Sequence, residues 1–290
     1  MNVLNDKEIF LSVIIPTCNR IDLLINCLDR LSSSFQSLSK DKYEVIVSDD
    51  SFNSAKSINF ESERPWVKLV QGPRRGPAAN RNHGSRFAKG KWLVFLDDDC
   101  IPEPGLLRAY FSFIQSYPHY RVIEGVIKPE GAKPSALAFA PIKLIPGALW
   151  SCNFCIEHTF FVELGGFDEM FKHPHMEDKD LQTRIEKMGQ PIGFVANAAV
   201  VHPWRTLASA KVLGLREEGY IYYLNKHNIP FKPQEYVKKL FFFYASRTSA
   251  NFSLGIALRL LGQYFMHLYF FFMHYPAWRR MYSKHGTYGR

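Results

Sequence analysis

The chain has 290 residues, 47% of them hydrophobic and 22% charged, which excludes global disorder and leaves room for one large domain with or without an appendage. A formal net charge of +9 and a pI near 9.2 point to an anionic partner: nucleotide phosphates, nucleic acid or an acidic membrane face. Cys18, Cys27, Cys100, Cys152 and Cys155 form no paired ligand sets, so buried or half-buried thiols are expected rather than a zinc or redox centre, and their odd count argues for a reducing compartment.

The N-terminal MNVLNDKEIF is polar and lacks a long apolar run, so no signal peptide is expected. Phe10–Ile15 reads as a fully buried strand ended by Pro16. Thr17-Cys18-Asn19-Arg20 then turns into a helix with Ile21, Leu24, Leu28 and Leu31 on one face, and Thr17 or Asn19 is available as its cap. Ser32–Lys42 is loop-like, and Tyr43–Val47 is a second strand that stops at Ser48-Asp49-Asp50-Ser51. Strand, helix, strand in this order predicts a parallel sheet, whose ligands collect outside the carboxyl ends of the strands.

Asn53–Trp66 shows no usable pattern, and Val67–Val70 is a short strand. Gln71–Ala79 is a Gly/Pro-rich turn carrying Arg74 and Arg75, and it feeds a helix through Asn80, Arg81, Asn82, His83, Phe87 and Ala88. Its glycines fit neither the dinucleotide fingerprint nor the phosphate-binding loop of nucleoside triphosphatases, which argues against both classes. The stretch WLVFLDDDCIP, Trp92–Pro102, delivers Asp97, Asp98 and Asp99 to a sheet edge. Three adjacent carboxylates are costly to bury unpaired, so a divalent cation such as Mg²⁺ or Mn²⁺ is a natural reason for placing them there. Alternation sends Asp97 and Asp99 to one side and Asp98 elsewhere.

Pro104–Tyr117 follows as a helix packing through Leu106, Leu107, Tyr110, Phe111 and Ile114, and Arg121–Ile127 as a strand. Lys128–Leu149 is a Pro/Ala/Gly-rich loop suited to shaping a second substrate's groove. Trp150–Ile156 is extended, and Gly165-Gly166-Phe167-Asp168-Glu169 is a turn that needs glycine's backbone freedom. His173 and His175 are read as half-exposed histidines. Glu177-Asp178-Lys179-Asp180-Leu181 opens a helix running to Gly189; Asp180 can pair with Arg184, which leaves Glu177 and Asp178 to look into a cleft. Ile192–Val195 and Ala198–Val201 are two short extended pieces before His202-Pro203-Trp204-Arg205. From Lys232 onward the sequence is basic and aromatic. Arg259, Gln263, His267 and His274 interrupt its apolar run, so the expectation is an amphipathic helical tail, lying on an anionic membrane face or packed on the core or a partner, rather than a spanning helix.

Taken together, VIIPTCNR (Val13–Arg20), VSDDS (Val47–Ser51), GPAANRN (Gly76–Asn82), FLDDD (Phe95–Asp99), GGFDE (Gly165–Glu169) and EDKDLQTRIEKMG (Glu177–Gly189) resemble the motifs of the family 2 glycosyltransferases, in the right order over about residues 9–205. The resemblance implies the A-type nucleotide-sugar-binding fold: an α/β domain with a mixed, mostly parallel sheet flanked by helices, over residues 9–230, and a C-terminal helical tail over 231–290. The nucleotide half would run to about residue 100, the acceptor half from 101 to 230. It implies an inverting, metal-dependent transferase moving a sugar from a nucleotide-diphosphate donor, with a UDP-sugar favoured, to a glycan or lipid-linked acceptor. It places Pro16, Thr17, Arg20, Asp49, Arg81 and Asp97 at the nucleotide, Asp99 and His202 at Mg²⁺ or Mn²⁺, and Asp178 as catalytic base with Glu177 as neighbour and fallback. No nucleic acid is expected as partner, and the location implied is cytoplasmic, peripheral on the cytoplasmic membrane face. The rival readings are a sugar-phosphate nucleotidyltransferase, which would want a lysine-bearing Gly-rich loop where TCNR stands, a nucleic-acid-binding protein explained by the net charge, and a noncatalytic scaffold.

Overall fold

The computed structural model describes residues 9–52, 63–247 and 253–283. The N-terminal residues 1–8, most of the unassigned Asn53–Trp66 stretch and the last residues of the tail lie outside that description. The chain divides into two compact units, one of residues 1–130, 141–172 and 177–203, the other of residues 131–140, 173–176 and 204–290.

The first unit begins with β1 (Leu11–Thr17), whose seven residues are all buried. It continues with α1 (Ile21–Asp29), the short α2 (Ser33–Gln36), β2 (Tyr43–Asp49), β3 (Val67–Gln71), α3 (Pro77–Ser85), β4 (Trp92–Leu96), β5 (Ile101–Pro102), α4 (Leu106–Ser116) and β6 (Val122–Pro129). After β7 (Ala138–Phe139), which belongs to the second unit, come β8 (Asn153–Glu157), α5 (His158–Glu163), α6 (Glu177–Lys187) and β9 (Ile192–His202). Among the described residues, eight strands of this unit form one sheet in the order β3-β2-β1-β4-β8-β6-β9-β5. Pairs β3/β2, β2/β1, β1/β4 and β6/β9 are parallel, while β8 runs antiparallel to β4 and β6, and β5 antiparallel to β9.

Side-chain alternation explains why helices cover both faces. Val13, Ile15, Val45, Val47, Val94 and Leu96 point into a core shared with Leu24 and Leu28 of α1 and Leu107, Tyr110 and Ile114 of α4. Ile14, Ile46, Leu93 and Phe95 point the other way, onto Ala78 of α3, Phe160 of α5, and Leu181 and Ile185 of α6. The chain leaves β1 toward β2 and β3, then returns with β4 on the opposite side of β1. That reversal opens a crevice at the carboxyl ends of β1 and β4, where parallel sheets hold ligands.

Several local expectations need correction. Pro16 does not end β1, which runs through it to pair Thr17 with Asp49, because the proline sits where the ladder tolerates a missing donor. Neither Thr17 nor Asn19 caps α1: the cap position is Arg20 with no side-chain bond, Asn19 is held at φ 54°, and the Thr17 hydroxyl is committed elsewhere. The two extended pieces after Pro191 are one strand, β9, whose register shifts opposite Gly125/Val126, a bulge that a period-two reading splits in two.

The second unit contains the antiparallel pair β7 and β10 (Arg205–Thr206), then α7 (Ala210–Lys226), α8 (Pro233–Ala245) and α9 (Leu254–Ser283). Helix α7 shows little periodicity in the sequence. It is held by close packing: a Cβ on its Gly214 would fall 2.8 Å from the Phe270 Cβ of α9. Tyr236 of α8 stacks on Phe271 of α9 with centroids 4.2 Å apart, and the Tyr282 hydroxyl donates to Glu218 at 2.6 Å. Helix α9 buries Leu260, Tyr264, His267, Phe271, Trp278 and Tyr282 and exposes Leu258, Phe265, Tyr269 and Met273. By length and composition alone this helix is long and apolar enough to cross a membrane, even with Arg259, Gln263, His267 and His274 along it. The core helix of a soluble protein passes the same test.

One buried amide ties the middle of the sheet. Asn153 of β8 accepts from the Tyr110 hydroxyl at 2.8 Å and donates to the Val126 and Ala198 carbonyls at 2.9 Å each. Asn153→Ala would leave these buried groups unsatisfied and is expected to cost roughly 2–4 kcal/mol in urea denaturation.

Candidate active site

The crevice at the ends of β1, β2 and β4 is built from short loops whose polar groups hold one another. The Asp50 amide donates to the Thr17 carbonyl at 2.9 Å, and the Asn80 amide nitrogen donates to the same carbonyl at 3.2 Å. Asp49 accepts from the Ser51 amide at 2.9 Å, and the Ser51 hydroxyl accepts from the Asn19 amide at 2.7 Å, so Asp49 and the turn after β1 form one loop system. Asp50 accepts from the Arg74 amide at 2.8 Å; burial raises its pKa. Gly72 fits only because it lacks a Cβ, which would stand 2.2 Å from an Asp50 oxygen.

Asp97, Asp98 and Asp99 do not sort by alternation, because β4 ends at Leu96 and the three lie in the turn after it: Asp98 and Asp99 share Arg20, and Asp97 stands apart on Arg81. Asp98 is fully buried, accepts from the Thr17 hydroxyl at 2.7 Å and pairs with Arg20 at 2.6 Å. It is the anchor of the turn, a role the sequence reading left open. Asp97 pairs with Arg81 at 2.7 Å. Asp99, also buried, lies 3.4 Å from Arg20 and 3.5 Å from Nε2 of His202.

Arg81 is the hub of the other half. Its side chain is 4% exposed and reaches Asp97 with one nitrogen and Glu177 with the other, at 3.2 Å. Helix α3 thereby commits three successive residues to three motifs. Asn80 holds Thr17, Arg81 holds Asp97 and Glu177, and Asn82 exchanges bonds with the Phe167 backbone at 2.8 and 2.9 Å and donates to Glu169 at 3.1 Å. The glycine turn accepts this approach because Gly165 and Gly166 sit at φ 77° and 71°, and a Cβ on Gly166 would stand 2.6 Å from the Asn82 oxygen. Arg184 pairs with Asp180 at 2.8 Å as expected and clamps the same turn through the Leu164 and Gly166 carbonyls.

The expectation that Glu177 and Asp178 both look into a cleft holds for one of them at most. Glu177 is buried against Arg81, whereas Asp178, beside it in the first turn of α6, is half-buried. Burial and the adjacent Asp178 charge push Glu177 up to about 7, outweighing an Arg81 charge that is shared with Asp97. Arg75 turns to Glu169 at 2.8 Å, and Arg74 lies over Phe52.

The sequence reading missed a buried pair. Lys143 donates to Glu124 at 3.1 Å and to the Ala148 carbonyl at 2.9 Å, while Glu124 also accepts from the Gly147 amide at 2.7 Å. Gln182 of α6 accepts from the Leu149 amide at 3.3 Å. Together these fix the otherwise aperiodic 141–150 loop beside the helix that bears Asp178. Only the combination of lysine, proline and glycine in that loop signals it in sequence.

A divalent cation fits the donor set at Asp99 and His202. The His202 Nδ1 donates to the Pro203 carbonyl at 2.8 Å, and burial lowers its pKa, so Nε2 keeps its lone pair toward the carboxylate. Two lone-pair donors 3.5 Å apart are spaced as ligands of one cation. Cys100 lies within 4.8 Å of both, but hydrogen bonding with Cys152 and burial hold its thiol well above the usual range, so it offers no thiolate. All five cysteines are free, and only Cys18 is exposed.

Residues 12–135 match the family described as Glycosyl transferase family 2. The chain is 37% identical over 106 residues to poly(ribitol-phosphate) beta-glucosyltransferase of Bacillus spizizenii, covering 34% of this chain and 16% of that protein. It is 39% identical over 94 residues to GalNAc(5)-diNAcBac-PP-undecaprenol beta-1,3-glucosyltransferase of Campylobacter jejuni, covering 31% and 29%. The matches thus span less than a third of either relative. Among solved structures, the mannosyltransferase PcManGT of Pyrobaculum calidifontis, in complex with GDP-Man and Mn²⁺, superposes with a TM-score of 0.57 at 20% identity, over 96% of this chain and 84% of that one. That likeness carries the fold.

The Glu177 environment has a measurable signature. A carboxyl raised from 4.5 to about 7 in the folded state binds its proton more tightly there than in the unfolded chain, so its contribution is full below pH 4.5 and is lost as pH rises through 7. Thermal stability followed from pH 4.5 to 8 is expected to fall at the upper end in the starting protein, and less steeply in Glu177→Gln.

Proposed function

We propose, from the chain's membership of glycosyl transferase family 2 through residues 12–135, that it transfers a sugar from a nucleotide-diphosphate donor to an acceptor hydroxyl with inversion at the anomeric carbon. The observation that carries this reading is the division of labour at one sheet edge. A cation-ready pair, Asp99 and His202, stands on one side, and a half-buried Asp178 stands beside a Glu177 already committed to Arg81.

In this reading Asp49 and the Thr17–Arg20 turn take the nucleoside, and Asp97 meets its ribose. Pro16 keeps the last residues of β1 extended so that the turn lies at the crevice. Asp99 and His202 hold Mg²⁺ or Mn²⁺, which would neutralise charge developing on the departing diphosphate. Asp178 removes the proton from the acceptor hydroxyl, whose oxygen forms the new bond as the bond to the diphosphate breaks on the opposite face. Glu177 is the less suited base because it is buried in an ion pair, and it orients Arg81 instead. No covalent enzyme intermediate is needed. A UDP-sugar is the favoured donor and a lipid-linked or surface glycan the favoured acceptor, in keeping with the acceptors named for the two relatives.

We further assign a membrane-peripheral role to the outward stripe of α9, where Leu258 and Phe265 are each 60% exposed and Tyr269 is 56% exposed. Arg279 and Arg280 near the helix end would meet anionic headgroups. Leu258→Ser with Phe265→Ser is expected to reduce cosedimentation with anionic vesicles several-fold, and an unchanged bound fraction counts against the assignment.

Donor binding and turnover test the catalytic reading. Across UDP- and GDP-sugars with and without Mn²⁺, Asp99→Ala is expected to lose the metal-dependent part of donor binding. Asp178→Asn should keep donor binding and lose about 10²–10⁴-fold in kcat. Equal turnover in Asp178→Asn and the starting protein removes Asp178 as base.

A further inference from the structure

The transfer chemistry proposed above leaves one buried ion pair of the first unit without a role, that of Lys143 with Glu124. Their side chains are 3% and 2% exposed, and the ammonium lies 3.1 Å from the carboxylate. Desolvation of two charges offsets their attraction, so well-packed apolar residues of similar size would hold the fold as well. What apolar side chains could not do is bind backbone. Glu124 stands in β6 between Phe154 of β8 and Phe194 of β9, and its other oxygen accepts from the Gly147 amide at 2.7 Å. Lys143 also donates to the Ala148 carbonyl at 2.9 Å, and its own backbone exchanges hydrogen bonds with Ile127 of β6 at 2.8 and 2.9 Å. The chain from Lys143 to Ala148 is therefore closed on itself and tied to the sheet, although Leu144 and Ile145 at its tip are exposed.

The far end of this loop grips α6. The Leu149 amide donates to Oε1 of Gln182 at 3.3 Å, and Nε2 of Gln182 donates to the Gly147 carbonyl at 3.4 Å. Gln182 follows Asp178 by four residues, so the two share one face of the helix a turn apart. Leu181 and Ile185 seat α6 by apolar contacts, which have no direction of their own, whereas hydrogen bonds to two backbone groups restrict its rotation and slide. Burial lowers the Lys143 pKa, and the charges of Glu124 and Asp178 are among those that oppose it, so the ammonium is within electrostatic range of Asp178. We propose that Lys143 and Glu124 are positioning residues for the transfer: the pair closes the 143–149 loop, and the loop, through Gln182, sets where Asp178 meets the acceptor hydroxyl. The proposal rests on the reading of Asp178 as the base.

Two variants of the full chain separate this role from plain stability. Glu124→Leu/Lys143→Met removes both charges together, so no lone charge is left in the core and the protein should still unfold cooperatively. Gln182→Leu cuts the loop from α6 and leaves the ion pair in place, which keeps the test open should the double variant fail to fold. Donor turnover is read as nucleoside diphosphate released from UDP-glucose, UDP-N-acetylglucosamine or GDP-mannose with Mn²⁺, water standing for the acceptor. Both variants should lose about 10–100-fold in kcat while the affinity for UDP with Mn²⁺ stays within about twofold. Amide exchange over 143–149 should quicken at least about tenfold in the double variant. Added to Asp178→Asn, which has no base left to position, the double substitution should lower turnover by less than about twofold, whereas a merely structural pair would cost the same factor in both backgrounds. The proposal is overturned by turnover equal to that of the starting protein in both variants, by a loss that recurs undiminished in Asp178→Asn, or by unchanged exchange over 143–149. Turnover lost in Asp178→Asn but kept in both variants defeats this proposal alone. Turnover kept in Asp178→Asn defeats the reading of Asp178 as base, and the proposal falls with it.

Discussion

The site depends on the burial of one guanidinium. Arg81 lies beneath the sheet edge with 4% of its side chain exposed, and such a charge is tolerable only when its donors are matched. Its planar fork meets two carboxylates from distant parts of the chain, Asp97 after β4 and Glu177 at the start of α6. An ammonium could not span both with the same geometry. Because α3 carries Arg81 between Asn80 and Asn82, satisfying the arginine also fixes the turn after β1 and the glycine turn before α6. Elements far apart in sequence are thus brought into register by hydrogen bonds that leave little freedom to any of them.

The strands and the helix-rich alternation of the first unit are legible because their signals are local. Apolar runs such as Val13–Ile15 and Trp92–Leu96 are buried on both faces, and the helices between them carry periodic stripes. What escaped was set by contacts between distant residues. Thr17 looks like a helix cap in sequence, yet its hydroxyl is taken by Asp98, which only the parallel pairing of β1 with β4 brings near. The bulge in β9 and the pinned 141–150 loop depend likewise on partners in β6 and α6. Helix α7 has little amphipathic pattern because it is packed by a close crossing at Gly214 and by aromatic neighbours rather than by one apolar stripe.

At the site, residue types were readable and their assignments less so. Asp97, Asp98 and Asp99 announce charged chemistry, but which of them is structural depends on burial. Asp98 is fully enclosed with Thr17 and Arg20, so the middle acid is a fastener. Likewise the glutamate and aspartate that open α6 are equivalent in sequence and unlike in the fold. One is drawn inward by Arg81, and the neighbour is left nearer to solvent.

The electrostatics of this edge follow from that sorting. Asp97, Asp98, Asp99 and Glu177 bring four formal negative charges, and Arg20 and Arg81 bring two positive ones. Protonation relieves part of the surplus at Glu177, whose burial pushes it up to about 7. His202 cannot relieve the rest as an imidazolium, since burial disfavours its charged form. A divalent cation beside Asp99 would relieve it without asking any buried base to take up a proton. Arg20, 41% exposed, bridges Asp98 and Asp99, while Arg81 is enclosed between Asp97 and Glu177. The edge thus carries one exposed cation, Arg20, beside the paired Asp99 and His202, and one enclosed cation, Arg81, beside the first turn of α6.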